Sequence, residues 1–369
     1  MKSRDLYLSM VGIDDTVLAK AYKYTEEKKV LKFHKPLSFV ACICLVLLAS
    51  ATAVAAIHHF WGRGMSGTLK STDTQQQALT EQGQAIVYPE LTDYSSYQVT
   101  DQGVTIAPEA VVVDDKFAYV SFKVTGLNIS DKEEPGAEVD YYLGDDKASE
   151  ASWLNGSSSF YDGIVIDDNG MGVYEDGTPL EQDGFIGHYI DENGDLEYVI
   201  QLQALDGVNN ILGKTLHVDF SSLGIYGGKT EYKQLVKGKW DFDLKLPTVS
   251  NGQTITVNKD VPNSNCTITT IDISPVSITV NYKVNKPVEK NEDSIGIPEF
   301  TGFVMKDGTR MPYVANGGTD GFTDETEQYA VCTRAFDRVI DISEVKSLLL
   351  WPDDEGGKEK VEVDLTTGQ

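Results

Sequence analysis

Asp191, Asn193, Asp195 and Glu197 are the side chains nearest to a metal-binding pattern in this chain, in the run Asp191-Glu192-Asn193-Gly194-Asp195-Leu196-Glu197. Oxygen ligands at alternate positions resemble the first half of a calcium loop. The glycine is misplaced for an EF-hand, and the twelfth position is Leu202 where a bidentate glutamate belongs. Asn193-Gly194 also lies between Tyr189-Ile190 and Tyr198-Val199-Ile200, which is the pattern of a hairpin turn, and the turn outweighs the metal. No metal and no cofactor are expected.

Other catalytic spacings are weaker. Ser343 and Lys346 match Ser-x-x-Lys, without the companion motifs that chemistry requires. His58 and His59 abut an apolar run, whereas His188 and His217 stand alone, and an isolated histidine is more often structural than catalytic. Gly-x-Ser-x-Gly, His-Glu-x-x-His and a glycine-rich phosphate loop are all absent. An enzyme is therefore not expected. Cys266 and Cys332 would lie on an oxidising side, and their separation decides whether they pair.

The elements that must carry any function begin with an uncharged stretch, Leu37 to Ile57. Its 21 residues would make a helix roughly 31 Å long, close to the thickness of a bilayer's hydrocarbon core. Lys23, Lys28, Lys29, Lys32 and Lys35 precede it, so the positive-inside rule puts the N-terminus in the cytoplasm and the C-terminal part outside. A cleaved signal peptide would need an n-region of 36 residues, far longer than usual. A single-pass protein of the cell membrane is the expectation. Cys42 and Cys44 read as small apolar residues within that run.

Before it, Asp5 to Tyr24 reads as a small helical hairpin broken at Gly12. Asp14 or Asp15 caps the second helix, whose apolar side carries Val17, Leu18, Ala21 and Tyr22. A hairpin this small leaves its apolar face in need of a partner. Ile13, Asp14, Asp15, Leu18, Ala21 and Tyr22 are the candidate partner-binding residues.

Charge is divided unevenly. The first 36 residues carry a net +3, and the rest carries −29, for a total of −26. So acidic a body argues against direct binding of nucleic acid or of anionic lipid. Residues 58–88 read as a tether, rich in Gly, Ser, Thr and Gln, with a short helix around Gln77 to Ile86. From Tyr97 onward the period is two: Ala118, Val120, Phe122 and Val124 alternate with other residues, as do Trp240, Phe242, Leu244 and Leu246. Asn-Gly and Asp-Gly turns separate the strands. A boundary near Ser250-Asn251-Gly252 divides a first β-sandwich, 89–250, from a second, 251–369. The expected fold is mainly β: a cytosolic helical segment over 1–36, a transmembrane helix over 37–57, a tether, and two immunoglobulin-like antiparallel sandwiches. Val339 to Leu349 reads as a strand or a helical turn.

Three stretches carry a resemblance to a family. They are Gly12-Ile13-Asp14-Asp15 with the helix after it; Val99 to Ile106 with Val113 to Phe122; and Gly238-Lys239-Trp240-Asp241-Phe242 leading to Ile273 through Val280. The chain resembles single-pass membrane proteins of Gram-positive bacteria that carry an extracellular domain of unknown function. These are often encoded beside extracytoplasmic-function sigma factors and are regarded as anti-sigma factors. The resemblance implies a regulator that holds a cytosolic sigma factor and senses an extracellular ligand or a protease through its β domains. The inner segment lacks the His and Cys pattern of zinc-binding anti-sigma domains, which removes a zinc-based switch. The alternative is a membrane-anchored surface binding or adhesion module with no cytosolic partner.

Overall fold

Ala118, Val120, Phe122 and Val124 do line one face of a strand, and there they close a core with Val218, Phe220, Trp240 and Phe242 from a facing sheet. The computed structural model describes residues 61–130, 133–145, 147, 154–180, 187–204, 211–227, 231–286, 295–352 and 359–365. These all fall in one compact unit. They open with two short helices, α1 (Gly62–Thr68) and α2 (Asp73–Glu81).

Eleven strands follow up to Lys245: β1 (Ala85–Val87), β2 (Val99–Asp101), β3 (Val104–Val113), β4 (Phe117–Thr125), β5 (Glu134–Leu143), β6 (Leu154–Phe160), β7 (Ile164–Ile166), β8 (Gly172–Tyr174), β9 (Leu196–Ala204), β10 (Thr215–Gly227) and β11 (Glu231–Lys245). One antiparallel sheet runs β1-β3-β4-β9-β6 with β2 on β3, and a second runs β11-β10-β5. β7 and β8 form a separate ribbon. Nine described strands make the other half: β12 (Gln253–Asp260), β13 (Cys266–Ile273), β14 (Ser277–Val284), β15 (Glu299–Met305), β16 (Arg310–Met311), β17 (Ala315–Phe322), β18 (Tyr329–Phe336), β19 (Val345–Trp351) and β20 (Val361–Asp364). Their sheets run β12-β13-β14-β18-β17 and β16-β15-β19-β20, closed on Ile278, Val280, Phe300, Phe303 and Leu350. Each pair of sheets buries alternate residues between its faces, as period-two patterning demands.

The expected membrane-spanning architecture is corrected. Among the described residues no helix is long and apolar enough to cross a membrane, and the described helices are α1, α2 and short 3₁₀ turns. The expected fold class, the single-pass topology and the cell-membrane localisation therefore have no support in the structure, which is that of a mainly β protein. The transmembrane run 37–57 and the hairpin before it lie outside the described residues.

The expected tether is corrected too, from Trp61 onward. Trp61, Met65 and Leu69 are each 0% exposed. They share a third core cluster with Ala110, Val112, Phe117 and Tyr119 of the first sandwich and with Val276, Ala335 and Val339 of the second. β4 is consequently buried on both faces, not wet on one as its alternation alone suggests. α2 begins at a capping box, in which the Thr72 hydroxyl accepts from Gln75 N and Gln75 Oε1 accepts from Thr72 N.

Polar contacts fix the same joint. Asp114 accepts from the hydroxyls of Ser274 and Ser277 and from the amides of Lys116 and Phe117. The Tyr119 hydroxyl donates to Phe336 O at 3.0 Å. Lys70 N donates to Asp337 O and Val339 N to Lys70 O, both at 2.8 Å, so the segment after α1 adds a short parallel bridge to the second sandwich. Asn251, in the linker between sandwiches, donates to the side-chain oxygens of Gln82 and Gln84. Val339 to Leu349 combines both expected forms: a 3₁₀ turn at Ile342–Glu344 runs directly into β19.

Candidate functional site

α1 is a poor helix on propensity alone. Three of its seven residues are glycine, each costing up to about 1 kcal/mol against alanine. Packing holds it. Trp61, Met65 and Leu69 recur at four-residue spacing and so form one buried stripe. The glycines lie on the sheet side, where the approach is too close for a side chain. A Cβ on Gly64 would meet Val199 at 2.9 Å, and one on Gly67 would overlap the Tyr161 ring.

The start of α1 is seated on a carboxylate from the sheet. Glu197, on β9, accepts from the amides of Arg63, at 2.9 Å, and Gly64. These amides are among the donors that a helix N-terminus leaves without intrahelical partners, and the helix dipole favours a negative charge there. The residue reached by sequence as the last oxygen of a calcium loop is thus a helix cap.

Glu109 comes to the same place from β3. The register of β3 on β4 slips between Pro108 and Ala110, and Glu109 is the extra residue of that bulge. A bulge suits Pro108, which has no amide to give the ladder, and it turns the following side chain out of line. Gly62 measures the result: a Cβ there would lie 2.6 Å from Glu109 Oε2 and 3.0 Å from Glu197 Oε2. Both Oε2 atoms thus border the same point beside Gly62, and each carboxyl group perturbs the other's titration. Burial raises both affinities for a proton, and the Glu197 charge raises that of Glu109 further. The amides of Gly64 and Arg63 pull Glu197 back. Glu109 Oε2 is buried without a donor, so the proton belongs on Glu109 and the charge on Glu197.

A cleft of about 790 Å³ opens over this pair. α1 supplies Arg63, Ser66 and Gly67; the sheet supplies Glu109, Lys123 and Glu197; the far wall carries Glu175 and the turn Asp191–Asn193. Arg63 spans it, donating from Nε to Glu175 at 2.9 Å and from Nη2 to His188 O at 2.6 Å, with its guanidinium over the Tyr161 ring. Lys123 pairs with Asp195 at 2.9 Å and with Asp191 at 3.6 Å. What this arrangement can do chemically is hold one proton and one helix end. Glu197 has both oxygens committed to α1, which makes it a fastening and not a free base.

The other sequence candidates are not gathered here. Asp191 Oδ1 accepts from Asn193 N and Asp195 N at 2.8 Å each, and Gly194 takes φ +86°, so the run is a hairpin turn built on its own aspartate. The Ser343 hydroxyl donates to Asp341 at 2.6 Å and serves a turn. His217 stacks on Tyr142 with Nδ1 2.6 Å from Asp243, and His188 packs against Tyr174. Cys266 and Cys332 are both free. Cys266 lies opposite Val284 and Cys332 opposite Val280, on the two sides of β14. Two strand spacings, roughly 9–10 Å, exceed the Cα separation a disulfide spans. Ile13, Asp14, Asp15, Leu18, Ala21 and Tyr22, with His58 and His59, lie outside the described residues.

Sequence reasoning missed Glu109 and α1. A signal existed for each: a Pro-Glu pair inside the apolar run Val104 to Val113, and the Trp61, Met65, Leu69 spacing hidden among glycines.

No family model matches the chain, and a comparison with curated proteins finds no match. Among solved structures, the crystal structure of the conserved domain protein from Bacillus anthracis is similar, at 13% identity and a TM-score of 0.44, over 70% of this chain and 78% of that one. A likeness that distant carries no argument about function.

Proposed function

We propose that the chain is a regulator of the anti-sigma type, in which the two-sandwich body grips its own N-terminal entry segment and the residues before it engage a cytosolic sigma factor. The observation that supports this is the seat of α1. The segment leading into the body is not a loose leash: Trp61, Met65 and Leu69, among its first described residues, are buried where both sandwiches meet. A shift of one sandwich against the other therefore moves the root of everything N-terminal to it. That is the coupling a sensor needs between a sensing body and an effector segment. The effector surface is the expected helical face of Ile13, Asp14, Asp15, Leu18, Ala21 and Tyr22.

The test is affinity purification of the full chain from its native cells with mass spectrometry of what co-elutes. Recovery of a sigma factor that disappears on deletion of residues 3–22, or with Leu18→Asp, is the expected result. Recovery of the same partners with and without residues 3–22 would overturn the reading. It would favour a surface binding module instead, with the cleft at α1 as its recognition site.

A further inference from the structure

Glu109 and Glu197 reach each other over β4 from the two strands that flank it, β3 and β9. On β4, opposite Val199 of β9, stands Ser121, whose hydroxyl accepts from Ala110 N at the bulge and donates to Trp61 O at the start of α1. The pair is thus the floor on which the first turn of α1 rests. Its two members are not equivalent. Glu197 as a carboxylate receives two amides, whereas Glu109 Oε2 receives no donor. With one shared proton the floor carries a single negative charge, the charge the helix end accommodates. With none, two carboxylates would be held against each other in a buried site, the second without a hydrogen bond.

We propose that Glu109 and Glu197 form a proton-operated latch on α1, closed with one proton on the pair and opened by its loss. The inference rests on the reading that the grip on the entry segment is the regulated step. The only covalent change is cleavage of the Glu109 carboxyl O–H, with the proton passing to water or buffer. The pair titrates as a unit. The groups facing it are few. Lys123 on β4 offsets part of the charge on Glu109 and is itself held by Asp195 and Asp191 of the turn. Asp191 adds a small repulsion, Arg63 on α1 favours the Glu197 charge, and Tyr94 approaches Glu109 from the segment before β2. None of them donates to Glu109 Oε2.

The sign follows from linkage. The folded chain holds the Glu109 proton more tightly than a glutamate in water, whose reference value is 4.5. The latch is therefore fully closed near and below that value and loosens as pH rises towards the raised value of the folded state.

Hydrogen exchange of the purified full chain, followed by mass spectrometry across pH, tests this directly. Peptides covering Arg63–Leu69 are compared with peptides covering β4 in the same sample, so the intrinsic pH dependence of exchange cancels. The expected result is a protection of α1 relative to β4 that falls about tenfold per pH unit while Glu109 titrates. In Glu109→Gln, whose amide stands in for the protonated carboxyl, that ratio stays flat. Two results would overturn the latch: α1 and β4 keeping a constant ratio in the wild-type chain, or Glu109→Gln retaining the wild-type slope. If Glu109→Gln does not fold, the wild-type ratio decides alone. Sigma-factor capture is a separate readout, so a failed capture and a failed latch are told apart.

Discussion

The Ser274 hydroxyl donates to Asp114 Oδ2 across 2.5 Å, joining residues 160 positions apart and tying the second sandwich to the first. Asp114 is 2% exposed and also accepts from Ser277 and from two amides of its own turn. Burial raises its proton affinity while these four donors oppose the rise. Removing the acceptor strands all four donors in a dry joint. Asp114→Ala is expected to cost about 3–5 kcal/mol, and Asp114→Asn, which keeps one acceptor oxygen, roughly 1–2 kcal/mol. Urea denaturation measures both. Equal midpoints for Asp114→Ala and the wild-type chain would remove Asp114 from the joint.

Trp240 fills the first sandwich between the sheets at 0% exposure, and its indole Nε1 donates to Val104 O at 3.0 Å. Trp240→Ala should cost about 3–5 kcal/mol from cavity and lost contacts together. Trp240→Phe keeps much of the volume but leaves Val104 O without its donor, a loss of about 1–3 kcal/mol. The order of melting temperatures, wild type above Phe above Ala, checks the placement.

The β elements were legible because their pattern is local. Trp240, Phe242, Leu244 and Leu246 alternate cleanly; the first three occupy one buried face of β11, and Leu246 is buried just past its end. Asn193-Gly194 behaves as a turn for reasons contained in five residues. α1 was not legible, because its composition argues against it. Gly62, Gly64 and Gly67 look like a flexible linker when their neighbours in space are unknown. Once β9 and Tyr161 are in place, the same glycines are the residues that fit. Glu109 was hidden for a related reason. A charge within an apolar strand reads as an outward residue, and the covering of that outer face by α1 leaves Glu109 half-buried with its Oε2 shut from solvent. The cysteines show the limit from the other side: composition leaves a Cys266–Cys332 bridge open, and the register across β14 excludes it.

Gly67 gives the sharpest test of the α1 seat, since two effects of opposite sign meet there. Alanine is the better helix former by about 1 kcal/mol. Its Cβ would overlap the Tyr161 ring, which is 6% exposed and has little room to move. Overpacking of that kind costs about 1–3 kcal/mol, so Gly67→Ala should be destabilising on balance. A double-mutant cycle with Tyr161→Ala should return a favourable coupling, because the second change removes the overlap. A stabilised Gly67→Ala would show that α1 does not sit against Tyr161.

Cys266 and Cys332 should stay reduced and unreactive in the folded chain. Burial raises the proton affinity of both thiols and so suppresses the nucleophilic thiolate. Alkylation followed by peptide mapping should find both labelled only in denaturant. Thermal melting should be the same with and without reductant. A reductant-dependent shift traced to these two residues would overturn the register.

Acid should destabilise the body through its turns. The amides of Met171 and Asn169 hold Asp167 below the usual carboxylate range, as Thr309 does for Asp307; the Thr326 hydroxyl holds Asp324 and Thr178 holds Asp176. Burial opposes the same shift at Asp191, where the amides of Asp195 and Asn193 still prevail. In each case the unfolded chain takes up the proton first. The stability these groups contribute is present above the ordinary aspartate value of 3.8 and is lost as pH falls through their depressed values. Glu109 acts with the opposite sign on the other side, since its raised value removes stability as pH climbs above 4.5. Urea midpoints plotted against pH should therefore rise out of acid and then decline. Asp167→Asn, Asp307→Asn and Asp324→Asn keep a turn acceptor but no longer titrate, so together they should make the acid limb shallower, Asp176 and Asp191 still contributing, and leave the upper limb unchanged. Glu109→Gln should make the upper limb shallower without abolishing it, since burial also raises Asp114 and Asp162, and should leave the acid limb unchanged; a single variant that flattened both limbs would show that one group, not two opposed sets, controls the profile.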